Sequence, residues 1–294
     1  MDFKPVKTGK QKRGDFIVVY GEQGVGKTRF AMSAPKPVFI DVTDRIEQYK
    51  GNEKFVPTTW EDYLDAVSQS SKSDYETIVL DEFNSAEVLA KKYVHKKHFS
   101  RYESFATTTT SGSQYSVLTE EALKLLPHLF AIRDAGKNLI INVHPKVKET
   151  NDPQTLTPFL RHQMGLENGF NDMLKRNCDA LLFINVEVMN AKQGDKDIKR
   201  AVSTNEKFFF TDHHYSYDAK NLFGLPQKIK FKQEGGWALI QSLKGDPNDP
   251  KVKQKRIEAY FPQMNDKEVS WAKKQIEAGE LDNALLKLKE GYGE

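Results

Sequence analysis

The eight residues Gly21-Glu22-Gln23-Gly24-Val25-Gly26-Lys27-Thr28 constrain this chain more than any other stretch. They spell G-x-x-x-x-G-K-T between a continuous apolar run, Asp15 to Tyr20, and a short helical pattern that Pro35 ends. Strand, glycine-rich turn and helix in that order make a phosphate-binding loop. The glycines let backbone N–H groups turn inward around phosphate oxygens, the helix start adds positive potential, and the lysine reaches the outer phosphates. The expected nucleotide-binding residues are therefore Gly21, Glu22, Gln23, Gly24, Val25, Gly26, Lys27, Thr28 and Arg29, with ATP and Mg²⁺ as cofactors and Thr28 as a metal ligand.

Four more apolar runs look like the first: Pro37 to Asp41, Thr77 to Asp81, Asn138 to Val143 and Ala180 to Val186. Such runs suit strands buried on both faces of a parallel sheet. Helical patterns lie between them. Trp60, Tyr63, Leu64 and Val67 share one face after the cap Thr59, and Ala122, Leu126, Leu129 and Phe130 do so after Thr119, in a helix that Gly136 should stop. The alternation predicts a mostly parallel, doubly wound α/β sheet. Beyond Val186, Arg200 to Thr204 and Lys207 to Thr211 read as a hairpin joined by Asn205-Glu206, which would add antiparallel edge strands. A strand-like segment (Lys228 to Lys232), a Gly-Asp-Pro-Asn-Asp-Pro linker at 245–250 and a charged helical tail from Lys251 follow. The expected division is a basic arm at 1–13, a core at 14–232, and a linker with a helical C-terminal appendage at 233–294. The Thr-rich patch Thr107 to Ser113 is expected to be a loop.

Composition excludes several classes. A chain of 294 residues with 38% hydrophobic and 29% charged residues has room for a large core and lies away from the disordered corner. Its longest apolar stretches are strand-sized, so no membrane span is expected. The start Met1-Asp2-Phe3-Lys4-Pro5 has no apolar run behind its charges, which predicts a cytoplasmic address. The one cysteine, Cys178, fits a reducing compartment and a core role. A net charge of +3 is too mild to announce a nucleic-acid binder, so any DNA argument must be local.

Hydrolysis needs a second metal anchor and a group that orients water. Asp81 ends a buried strand and supplies the first; Glu82 follows it and is the expected water-orienting acid, against the alternative of an ordinary helix N-terminal acid. Asp41 and Asp44 sit at another strand end, where either can hold water or metal. His144 follows the run Asn138 to Val143 at the same edge, where its side chain can touch the γ-phosphate, against the alternative of an ordinary satisfied loop histidine. His95-Lys96-Lys97-His98 and His213-His214 lack acid or cysteine partners at ligand spacing and read as solvated surface.

With these residues placed, the chain resembles the RecA-like branch of P-loop ATPases, and within it the phage Sak-type recombinases that anneal single strands. The resemblance covers about residues 14 to 230. It rests on the phosphate loop, Val38-Phe39-Ile40-Asp41, Ile78-Val79-Leu80-Asp81, Ile140-Ile141-Asn142-Val143-His144, and Ala219-Lys220-Asn221 followed by Gly224-Leu225-Pro226. It implies a RecA-like ATPase core that hydrolyses ATP at a subunit interface in a homo-oligomer, ring or filament, with Lys220 completing the neighbour's site. Two positions depart from the family pattern: Leu222 replaces a second basic residue, and Thr43 stands where RecA proteins carry a catalytic glutamate, which moves the water-activating role to Glu82. The resemblance also implies single-stranded DNA as partner, contacted by two loops, His98 to Val117 and Pro145 to Gln163. Arg101, Tyr102, Phe105 and Tyr115 in the first, and Lys146, Lys148, Arg161, His162 and Phe159 in the second, mix cations for phosphates with rings for stacking. The arm residues Lys4, Lys7, Lys10, Lys12 and Arg13 would add phosphate contacts, and the tail would dock on the core or on a single-strand-binding protein. The rival readings are a helicase or helicase loader, a nucleotide-gated binding module with little hydrolysis, and a small-molecule kinase.

Overall fold

The computed structural model describes residues 13–107, 112–151, 158–193, 196–232, 234–246, 248–261 and 264–292, with the backbone alone for 187–193, 196–205 and 292. The expected arm therefore lies outside the described residues except for Arg13. In chain order the elements are β1 (Phe16–Gly21), α1 (Lys27–Met32), β2 (Pro37–Asp41), β3 (Glu53–Phe55), α2 (Trp60–Ser70), β4 (Thr77–Asp81), α3 (Phe83–His98), α4 (Ser113–Asp134), β5 (Asn138–Val143), β6 (Pro145–Thr150) and β7 (Phe159–Met164). They continue with α5 (Asn168–Asn177), β8 (Ala180–Gln193), β9 (Lys196–Phe210), β10 (Lys220–Asn221), β11 (Lys228–Lys230), α6 (Gly236–Leu243), α7 (Pro250–Tyr260), α8 (Asp266–Glu277) and α9 (Leu281–Tyr292).

The main sheet runs β11-β9-β8-β1-β5-β4-β2-β3, with β10 paired to β8. The strands from β8 through β1, β5, β4 and β2 to β3 are parallel, and β9, β10 and β11 are antiparallel additions. This is the expected mostly parallel α/β class, and one strand, β5, separates the phosphate-loop strand β1 from β4, which carries Asp81. Period-two alternation explains the two cores. Phe16, Val18 and Tyr20 face one cluster, filled by Trp60 and Tyr63 of α2, Ala86 and Ala90 of α3, Leu125 and Leu129 of α4, and Phe170 of α5. Ile17 and Val19 face the other, filled by Phe30 of α1 and by Trp237 and Ile240 of α6. Helices on both faces are what lets the parallel strands be apolar throughout. Among the described residues no helix is long and apolar enough to cross a membrane.

Several local readings need correction. The cap Thr59 does close α2 in a capping box with Asp62, but Thr119 lies inside α4, which starts at Ser113. The Thr119 hydroxyl donates to the Tyr115 carbonyl one turn back (2.8 Å), so it satisfies itself within the helix. The segment Ser113 to Val117, expected in a loop, is thus helical. The segments 200–204 and 207–211 are not two strands of a hairpin: the first and most of the second are continuous in β9, whose hairpin partner is β8. The expected loop Pro145 to Gln163 is largely a two-stranded antiparallel sheet, with Lys148 opposite Arg161. Towards the C-terminus, α7, α8 and α9 gather Ile257, Tyr260, Ala272, Ala284 and Leu288 into a small cluster of their own.

Candidate nucleotide site and the adjoining hairpin

The carboxyl ends of β1, β4 and β5 bring the strongest sequence signals to one edge, as parallel sheets do with ligand sites. A cleft of about 410 Å³ there is lined by Gln23, Gly24, Gly26, Lys27, Thr28, Arg29, Thr43, Arg45, Ile46, Gln48, Tyr49, Asp81, Glu82 and His144. The loop geometry requires its glycines at two positions. Gly24 has φ +75° and nothing near its missing Cβ, whereas Gly26 has φ +121° and a Cβ there would lie 2.6 Å from the Phe231 ring. Gly21 and Val25 complete the turn, with the Val25 N–H on the Glu22 carbonyl.

Lys27 is folded over the loop. Its Nζ donates to the carbonyls of Gly21 (2.6 Å) and Glu22 (3.0 Å) and to His144 Nδ1 (3.4 Å). Burial lowers its ammonium to about 8, against the pull of Asp81 and Glu82. The Thr28 hydroxyl donates to Asp81 Oδ2 (2.8 Å), and Asn142 Nδ2 holds the other carboxylate oxygen (3.1 Å). Burial raises the Asp81 carboxyl above its ordinary range despite these two bonds. A hydroxyl and a dry carboxylate side by side are hard oxygen donors that a small divalent cation would join and recharge, so the pair fits Mg²⁺.

Glu82 is at the N-cap position of α3, yet its side chain caps nothing there. It accepts instead from His144 Nε2 (2.9 Å) and Arg45 (3.1 Å). Because lysine has only donors, His144 Nδ1 accepts from Lys27 and its proton sits on Nε2, facing Glu82. The His144 bond is the main reason the Glu82 carboxyl lies below its ordinary range. Arg45, Glu82, His144 and Lys27 thus form one chain of contacts across the cleft. His144 is also fixed through its backbone N–H, which donates to Asn84 Oδ1 (2.7 Å), while Asn84 Nδ2 donates to Gly165 just beyond β7 (2.8 Å).

The weaker candidates have other partners. Asp41 is buried and accepts from the Thr43 N–H and hydroxyl and from the Ile46 N–H, which folds the turn after β2. Asp44 pairs with Lys54. Lys220 pairs beside Leu181, away from the loop end of β8, and caps the last turn of α5 through the carbonyls of Lys175 (3.2 Å) and Arg176 (2.8 Å). Its neighbour Asn221 folds the following loop by bonding Leu225 in both directions.

The five candidate DNA residues separate into two places. Arg101 lies over the Tyr102 ring, 4.9 Å from its centre, in the segment after α3. Lys146, Lys148 and Arg161 share one face of the β6–β7 hairpin by strand alternation, together with Phe159. Lys148 is exposed. Arg161 is held by the buried carboxylate of Asp218 (2.6 Å), which also takes Lys175, and Lys146 donates to the Leu166 carbonyl.

Sequence reasoning missed Arg45 and Lys207. Arg45 lies in a 3₁₀ turn with no motif to mark it, and Lys207 reaches the Gly24 carbonyl from β9 (3.2 Å) across 183 residues of chain.

The family model for the AAA domain matches residues 13–223. No curated protein matches the chain. Among solved structures, a KaiC-like protein from the hyperthermophilic archaeon Pyrococcus horikoshii OT3 is 12% identical, with a TM-score of 0.37 over 75% of this chain and 86% of that one. The RadB recombinase is 14% identical, with a TM-score of 0.37 over 76% of this chain and 90% of its own.

Proposed function

The chain belongs to the AAA domain family, and from its cleft we propose that it is a Mg²⁺-dependent, oligomeric ATPase of DNA recombination that binds single strands and promotes their annealing in the cytoplasm. The observation that carries this reading is His144: its ring touches both Lys27 and Glu82 in the cleft, and the next residue begins the hairpin that bears Lys146, Lys148 and Arg161.

In this reading Gly21 to Arg29 hold the nucleotide phosphates, and Lys27 neutralises charge on the outer two. Thr28 and Asp81 would hold Mg²⁺, which when bound would supply charge neutralisation for the phosphates. Glu82, kept ionised by His144 and Arg45, aligns the attacking water and accepts its proton. The reaction is phosphoryl transfer to water: an oxygen–phosphorus bond forms, the bond to the β-phosphate oxygen breaks, and ADP leaves. His144 responds to the γ-phosphate because its two nitrogens already join the phosphate-binding lysine to the acid, and its backbone is tied to Asn84 and Gly165. Lys220 would reach a neighbouring subunit's nucleotide. A single-strand-binding protein is a further partner for the α7–α9 appendage.

A second reading, a nucleotide-gated assembly module with little turnover, has one observation in its favour. Thr43 stands where RecA proteins carry a catalytic glutamate, and it spends its hydroxyl on Asp41. Mixing complementary labelled strands with the protein and ATP tests the main reading. Annealing is expected to be accelerated by wild type and not by Lys27→Ala. Directional unwinding of a tailed duplex in the same mixture would instead identify a helicase.

A further inference from the structure

We infer that Tyr215 is a stacking platform for an unpaired base, with Lys148 placed for a neighbouring phosphate on the same side of the β6–β7 hairpin. The inference rests on the single-strand DNA reading above and adds a residue outside both segments that the sequence marks.

Tyr215 is 63% exposed, yet its ring is supported from two sides. Phe159 meets it edge-on (5.9 Å, 82°), and the His214 ring lies 4.1 Å away. His214 stacks on Tyr217 (4.9 Å), Tyr217 on Phe183 (5.3 Å), and Phe183 on Tyr20 (4.8 Å), the residue before the phosphate loop. The backbone is fastened as well: the His162 N–H donates to the Ser216 carbonyl (2.8 Å), and the Asp218 N–H to the His162 carbonyl (3.1 Å). An exposed aromatic whose neighbours already hold it has little side-chain entropy left to lose on contact with a partner.

The surroundings specify what that partner is. An apolar protein surface would be matched by apolar neighbours, but the hairpin face around Phe159 carries Lys146, Lys148 and Arg161, and His213 bonds Arg161. Arg161 is committed to Asp218, so it braces the strand, and exposed Lys148 is the cation placed for a phosphate. A supported ring beside cations is the arrangement that binds single strands without reading sequence, because every base has a π face.

The test uses the full chain, wild type and variant, with two labelled probes of equal length at low salt: a thymidine oligomer and an abasic sugar-phosphate oligomer. Wild type is expected to bind the thymidine oligomer about tenfold more tightly than the abasic one. Tyr215→Ala and Tyr215→Leu should lose most of that preference, and Tyr215→Phe should keep it. Lys148→Ala should weaken both probes alike and lower the slope of log affinity against log salt by about one. If wild type prefers the thymidine oligomer and Tyr215→Leu or Tyr215→Ala leaves that preference intact, the platform is overturned while the DNA reading stands. If wild type binds neither probe, both fall together.

Discussion

Burial of Lys27 has a consequence that a titration can read. Its ammonium is lowered to about 8, and a phosphate oxygen against it needs the proton. Above that pH the free protein must take up a proton when nucleotide binds. Nucleotide affinity is expected to be level near pH 7 and to fall towards about tenfold per unit once pH passes about 8. Calorimetry in two buffers of different ionisation enthalpy would show the uptake; an affinity unchanged through pH 9 would contradict it. For folding the sign is reversed. Between about 8 and 10.5 the unfolded chain holds a proton that folded Lys27 has released, so the nucleotide-free protein gains stability as pH rises through that window. Glu82→Gln keeps an acceptor for His144 but removes the base. Steady-state hydrolysis should drop by about 10²- to 10⁴-fold with nucleotide affinity retained; turnover near the wild-type rate would remove the base role from Glu82, and annealing left intact by a variant that no longer hydrolyses would favour the gated-module reading. Lys27, Thr28 and Asp81 were legible because each sits at a fixed offset from a buried strand. Arg45 and Lys207 were not, because their distance from the cleft closes only when the chain folds.

At the scale of elements, sequence and structure agree where apolar periodicity decides. The limits expected for β2, β4 and β5 are the observed ones. They differ where a polar residue has two uses, as with Thr119, a cap in the sequence and a back-bonded helix residue in the structure. They differ too where pairing partners lie far apart: nothing local in 200–211 announces that β8 is the partner of that segment. One buried carboxylate ties the β6–β7 hairpin to its neighbours. Asp218 accepts from Arg161 of β7 and Lys175 of α5, and its carbonyl takes the Tyr20 hydroxyl (2.5 Å). Asp218→Ala leaves two cations without their acceptor, and chemical denaturation should show a loss of about 3 kcal/mol. A variant as stable as wild type would mean that the strand is held by backbone pairing alone.

Across the whole molecule, one sheet edge joins a nucleotide cleft to a cationic hairpin through His144 and the Asn84–Gly165 tie. The parallel order puts the ends of β1, β4 and β5 side by side, and the chain leaves β5 directly into the hairpin. That continuity was legible as a strand followed by His144 and a basic segment; the face shared by Lys148, Arg161 and Phe159 needed the pairing register. The most direct measurement is the rate of ATP hydrolysis by wild type and Lys27→Ala, with and without single-stranded DNA, at low and high salt. The expected result is a Lys27-dependent rate that DNA raises at low salt and that loses this rise at high salt, since phosphate contacts weaken steeply with ionic strength. A Lys27-dependent rate indifferent to DNA at both salt concentrations would contradict the link between cleft and hairpin.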